Sequence, residues 1–339
     1  MSPALQTQIL HTMVRIRALE QRALWEYQRP GILGGFLITS TGQESIAATV
    51  RAAMTEDDHS ISGCRGIGHA IAAGIRMASI FAELMGRSSG CSKGKGGNFS
   101  FYSPFLKHWG CHGLAAAQTP LANGLAFALK QRSESGAVVC FMGEGAANQG
   151  VFHETLNLAG LFDLPVVFII ENNGFGMSTS QERSSRFTGC VARRAETYGI
   201  EWDLCSDENI PGMHAKITVA LQRAREESRP TVLEITTMRY YGWSIADANT
   251  HRYRTKESID ERKNHSDPLT LWKQHLIAQG ILSETEAKQM RESAKAEAGD
   301  AANLAKLSNP PTVEAIMENV YWESDHETAA SKVGQHFFA

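Results

Sequence analysis

Two short turns carry the residues best suited to chemistry. Glu144 stands between Gly143 and Gly145, and Asn173 follows 29 residues later in the run Glu171-Asn172-Asn173-Gly174. A carboxylate and an amide oxygen are hard ligands of the kind Mg²⁺ accepts beside phosphate oxygens. Glycine lets a backbone approach a diphosphate closely, and a helix starting after such a turn points free N–H groups at the anion. The ligand these residue types suit is a metal-bound diphosphate.

For that, the two turns must lie side by side, and the flanking pattern predicts that they do. Ala137 to Met142 (AVVCFM) and Val166 to Ile170 (VVFII) are short apolar runs bounded by glycine or proline, as buried strands are. Between them Phe152, Leu156, Ala159 and Leu161 fall close to one helical face. Strand, glycine turn, helix, strand is the unit of a parallel sheet with right-handed crossovers. Both turns then sit at its carboxyl edge, where open α/β sheets bind ligands. Strand-turn-helix units with two glycines also occur without a ligand, and Asn-Asn-Gly is an ordinary turn, so spacing alone leaves both readings open.

The remaining elements follow the same logic. Residues 5 to 28 pattern as a helix with Leu10, Met13, Val14, Ile16 and Leu19 on its apolar face. Ser40 or Thr41 is expected to cap a helix from Gln43, with Glu44 in its first turn. His59 to Ser62 reads as a strand leading into the loop and helix GCRGIGHAIAAGI. In that loop Arg65 suits fork-like binding of phosphate oxygens, or a surface salt bridge. His69 is an acid–base candidate or a packed helix residue. Ser92 to Gly113 (SKGKGGNFSFYSPFLKHWGCHG) is a glycine-rich, basic and aromatic loop, and Gln118 to Leu129 a helix of small residues. Cys190 to Tyr198 and His214 to Glu227 read as helices, and the period-two run from Pro230 as the last strand.

With these residues in place, the sequence resembles a known family. Gly-(Asp/Glu)-Gly, about thirty residues, then Asn-Asn is similar to the thiamine diphosphate signature. The wording GEGAANQG…LPVVFIIENN, with SKGKGG before it and ERSS after it, resembles the alpha subunits of heterotetrameric 2-oxo-acid dehydrogenase first components, which include pyruvate, branched-chain and acetoin members. The likeness runs from about Arg15 to about Tyr321. It implies an α/β thiamine diphosphate-binding fold, a mainly parallel sheet with helices on both faces, over residues 1–265, and a helical C-terminal extension, 266–339, packed on it. It implies cofactor contacts at Cys64, Arg65, Gly113, Ala115, Gly143, Glu144, Gly145, Ala146, Asn173, Phe175 and Trp243. Glu144, Asn173 and the Phe175 carbonyl would hold Mg²⁺, and His112, Tyr241 and His69 would serve catalysis.

The departures from the family are specific. Glu144 replaces the commoner aspartate, and Cys64 stands where a tyrosine is usual. Three customary histidines are Ile38, Tyr241 and Trp243 here. Tryptophan and isoleucine exchange no proton, and tyrosine titrates too high to stand in without a large shift. The function implied is decarboxylation of a 2-oxo acid, or cleavage of an acyloin, with transfer of the acyl or ketol unit to an acceptor. It requires a beta subunit that supplies the activating glutamate, in a two-alpha, two-beta assembly. The alternatives are transfer of a two-carbon unit to a non-lipoyl acceptor such as an acyl carrier protein, and a catalytically silent scaffold.

Composition narrows the class. The 339 residues, 42% hydrophobic and 20% charged, describe an ordinary globular chain. A net charge of −3 gives no electrostatic case for nucleic acid or an acidic membrane. Six cysteines without a C-x-x-C pair indicate neither a zinc site nor a redox dithiol. The amphipathic start is unlike a signal peptide and no run approaches membrane-spanning length, so a cytoplasmic location is expected.

Overall fold

The computed structural model describes residues 1–187, 189–247, 250 and 253–318. The family-like ending at Val320 and Tyr321 lies outside them. Six parallel strands form the sheet among the described residues: β1 (His59–Ser62), β2 (His108–Cys111), β3 (Val138–Gly143), β4 (Val166–Asn172), β5 (Glu201–Ser206) and β6 (Thr231–Thr236), in the order β2-β1-β3-β4-β6-β5. The helices are α1 (Pro3–Tyr27), α2 (Glu44–Ala53), α3 (Ile67–Ala73), α4 (Met77–Leu84), α5 (Gln118–Arg132), α6 (Gly150–Leu161), α7 (Gln181–Ser184), α8 (Ile210–Glu227), α9 (Lys256–His265), α10 (Pro268–Ala278) and α11 (Glu284–Leu307). None is long and apolar enough to cross a membrane.

The continuous apolar runs of β3 and β4 are explained by burial on both faces. Val139 and Phe141, with Val167 and Ile169, face a core shared by α1 to α4, α8, α10 and α11. Val138, Cys140 and Met142, with Phe168 and Ile170, face the opposite core, built by α5, α6 and the 3-10 helix Val191–Tyr198. Val138 pairs with Val166, and the ladder continues to Gly143 opposite Glu171, so the two strands end level. Their exit turns are adjacent as a result.

The C-terminal helices belong to the first of these cores. Alanines 287, 294, 298, 301, 302 and 305 of α11 are buried, and Arg15 of α1 forms a bidentate pair with Glu297. Trp272 and Leu276 anchor α10, which is capped by Asp267. Asp267 also accepts from Tyr240 and pairs with Arg17 at 2.9 Å, tying α10 to the loop after β6.

Two local expectations are corrected. Neither Ser40 nor Thr41 caps α2; Gln43 is its N-cap without a side-chain bond, and both hydroxyls donate to Glu20 instead. The Ser92 to Gly113 stretch is not wholly loop, because it contains the edge strand β2. There His108 Nδ1 lies 2.9 Å from Ser60 Oγ of β1.

Candidate cofactor site

A cavity of about 310 Å³ opens at the carboxyl end of the sheet. It sits where connections reverse direction, since β1 leads outward to β2 and β3 leads to β4 on the other side. The exits of successive strands line it: Gly63 to Arg65 after β1, His112 to Ala116 after β2, Gly143 to Ala146 after β3, Asn173 to Met177 after β4, and Trp243 after β6.

Glu144 and Asn173 meet there. The Asn173 backbone N–H donates to Glu144 Oε2 at 3.3 Å. Asn173 is held at both ends of its amide, its Nδ2 donating to Gln43 Oε1 at 3.1 Å and its Oδ1 accepting from Arg239 Nη1. The same guanidinium reaches the Phe175 carbonyl at 2.7 Å. Three oxygens of the kind a hard divalent cation accepts, from Glu144, Asn173 and Phe175, thus belong to two touching turns.

Charge in the cavity is unbalanced in a way that fits a metal and an anion. Glu144 is 4% exposed, and burial pushes its carboxyl above the usual range. Among the described residues no cation forms an ion pair with it. Burial likewise pulls Arg65 below its ordinary value, with Arg239 adding to the effect. Arg65 donates to two carbonyls, those of Thr39 and, at 3.1 Å, Trp243, and to no carboxylate among the described residues. A buried carboxylate and a half-buried guanidinium, each without its counter-ion, are costly unless a ligand supplies both charges. Gln43 Nε2, Gln118 Oε1 and His112 Nε2 are buried polar atoms without a protein partner on the same walls. A Cβ built on Gly143 meets nothing within 4 Å, and one on Gly145 meets only Gly176 Cα at 3.8 Å, so neither glycine is demanded by chain packing. These residues fit thiamine diphosphate with a divalent ion.

The structure brings every candidate residue to this cavity except Tyr241, which is 37% exposed and does not line it. His69 is buried, stacked on Phe141 at 3.8 Å, with Nε2 3.2 Å from Glu171 Oε1. Burial lowers the His112 pKa and raises that of Cys64. Trp243 stands edge-on to Phe36 at 5.7 Å, so an apolar rim occupies this part of the mouth. Sequence reasoning missed Gln43 and Arg239. Gln43 has the look of an ordinary helix-start residue, and nothing in the local pattern marks Arg239.

Comparison with known proteins shows the family. Residues 11–314 match the Dehydrogenase E1 component family. The chain is similar to the pyruvate dehydrogenase E1 component subunit alpha of Zymomonas mobilis, 36% identical over 309 residues, covering 91% of this chain and 86% of that one. It is 34% identical over 308 residues to the subunit of that name from Rhizobium meliloti, covering 91% and 87%. It is 36% identical over 294 residues to the mitochondrial alpha-1 subunit of Oryza sativa, covering 86% and 73%. The chain therefore belongs to the dehydrogenase E1 component family. Within that family it is an alpha-like subunit, and the acyl-carrier and silent-scaffold alternatives draw no support from these relatives.

Proposed function

We propose that this chain is the diphosphate- and metal-holding alpha subunit of a thiamine diphosphate-dependent 2-oxo-acid dehydrogenase first component. The observation that carries the reading is the meeting of Glu144 and Asn173 at the switch point of the parallel sheet, beside a half-buried Arg65 that has no carboxylate partner among the described residues. Glu144, the Asn173 amide oxygen and the Phe175 carbonyl would hold Mg²⁺. Arg65 would bind diphosphate oxygens as a fork. The glycines at 143 and 145 leave room for the anion, and the backbone around Gly113 and Ala115 would face the cofactor ring.

Bound thiamine diphosphate supplies a carbon nucleophile for the 2-oxo group and a sink for the electron pair released with CO₂. This chain's residues hold and enclose it. His112, with a free Nε2 at the cavity wall, is placed to exchange a proton there, and the His69–Glu171 contact fixes the imidazole against Phe141. A beta subunit would complete the site, in a two-alpha, two-beta assembly, and all six unpaired cysteines suit a cytoplasmic setting.

Reconstitution with the beta partner tests the reading. CO₂ release from pyruvate or a branched 2-oxo acid, dependent on thiamine diphosphate and Mg²⁺, is expected from the complex and absent from either chain alone. A complex that binds the cofactor but releases no CO₂ from any 2-oxo acid, and no acetaldehyde from acetoin, would overturn it.

A further inference from the structure

Residues 37 to 42 are fully buried yet have no regular secondary structure, so their backbone polar groups must find partners outside a helix or sheet ladder. They find them in side chains from distant parts of the chain. The Ile38 N–H donates to Asn98 Oδ1 at 3.0 Å, and Asn98 Nδ2 donates onward to the Cys64 carbonyl at 2.9 Å. The Ser40 N–H donates to Glu20 Oε1 at 2.6 Å, and the Ser40 and Thr41 hydroxyls donate to Glu20 Oε1 and Oε2 at 2.7 and 2.6 Å. Glu20 lies on α1, is wholly buried, and does not line the cavity. The segment it pins makes three contacts that matter to the site. The Thr39 carbonyl accepts from Arg65, the Thr41 carbonyl accepts from the Tyr240 N–H at 2.9 Å, and the Leu37 carbonyl accepts from the Ile245 N–H at 2.9 Å.

We propose that Glu20 is a positioning residue for cofactor binding: it fixes residues 39–41 so that the Thr39 carbonyl aims the Arg65 guanidinium into the cavity. The proposal rests on the reading of Arg65 as the diphosphate ligand. A carboxylate suits the task because all three groups it meets are donors, and only an ionised carboxyl offers acceptors on both oxygens. Glutamine at this position keeps the volume but turns one end into a donor facing the Thr41 hydroxyl. The charge is held at a cost. Burial raises the Glu20 carboxyl to about 7, with Glu44 the next contributor, so its ionised form at pH 8 costs the fold stability.

The test uses the complex of this chain with its beta partner, thiamine diphosphate and Mg²⁺ at pH 8. Cofactor affinity is measured by calorimetry, and unfolding by a thermal scan. Glu20→Gln is expected to weaken thiamine diphosphate binding about tenfold while leaving the thermal midpoint unchanged or higher. In an Arg65→Lys background the same substitution is expected to weaken binding less than twofold further, because its effect passes through Arg65. Unchanged affinity, an effect that adds in full on Arg65→Lys, or a loss of affinity that tracks a lower thermal midpoint would each overturn the proposal. Failure of the unaltered complex to bind thiamine diphosphate would instead overturn the assignment of the site.

Discussion

The guanidinium of Arg239 holds the side-chain oxygen of Asn173, and through the carbonyls of Phe175 and, at 3.2 Å, Gly176 it holds the rest of the turn. Arg239 is 1% exposed and does not line the cavity. It would therefore act on the proposed metal site by orienting oxygens that face it. Groups behind metal ligands commonly contribute about 10–100-fold to metal affinity. Arg239→Met is expected to weaken Mg²⁺ binding by the assembled complex on the order of tenfold, read by calorimetry at saturating thiamine diphosphate. Undiminished affinity would show that the turn holds its shape unaided.

The two glycines of the Glu144 turn give a cleaner separation of folding from binding. No chain atom crowds a Cβ at Gly143, and neither it nor Gly145 has a positive φ. Gly143→Ala should leave the protein as stable as before or more stable by about 0.4–1 kcal/mol, through the smaller entropy of the unfolded chain. Thiamine diphosphate affinity should nevertheless fall. Equal affinity in the variant would mean that the anion lies elsewhere.

His108 sets a pH dependence of stability. It is wholly buried on β2, and burial, aided by His69 and His112, pulls its pKa down to about 3. The folded chain thus prefers the neutral ring while the unfolded chain protonates near 6.5. Stability is fully present above pH 6.5 and is lost progressively as pH falls toward 3, at just over about 1 kcal/mol per unit. Denaturant unfolding at pH 7.5 and 5.5 should show this loss in the unaltered chain and a smaller one in His108→Gln. Equal slopes would exclude the imidazole as the source.

Ala298 lies on the buried face of α11, the helix that packs on α1 and α4, and is 1% exposed. Leucine there has no space to fill, so Ala298→Leu should cost about 1–3 kcal/mol. A thermal scan that finds no loss would mean that α11 can move outward freely.

Much of this was legible in the sequence for a physical reason. The runs AVVCFM and VVFII had to be buried on both faces, which forces helices onto both sides of a parallel sheet and brings Glu144 and Asn173 to one edge. What escaped was side-chain choice among polar partners. Ser40 and Thr41 stand where caps stand, but the acceptor that claimed their hydroxyls is Glu20, some 20 residues earlier. Arg239 and Gln43 gave no local pattern, because their role arises only when β6 and α2 deliver them to the Asn173 amide. Tyr241, which the resemblance puts in a site loop, does not line the cavity and is 37% exposed.

The most direct measurement is Mg²⁺-dependent binding of thiamine diphosphate to the complex, comparing the unaltered chain with Glu144→Ala and Asn173→Ala. Tight binding that requires the metal, and a loss of at least about tenfold in either variant, is what two touching oxygen-bearing turns predict. Binding that is indifferent to Mg²⁺, or that survives both substitutions, would contradict the placement of the metal between them.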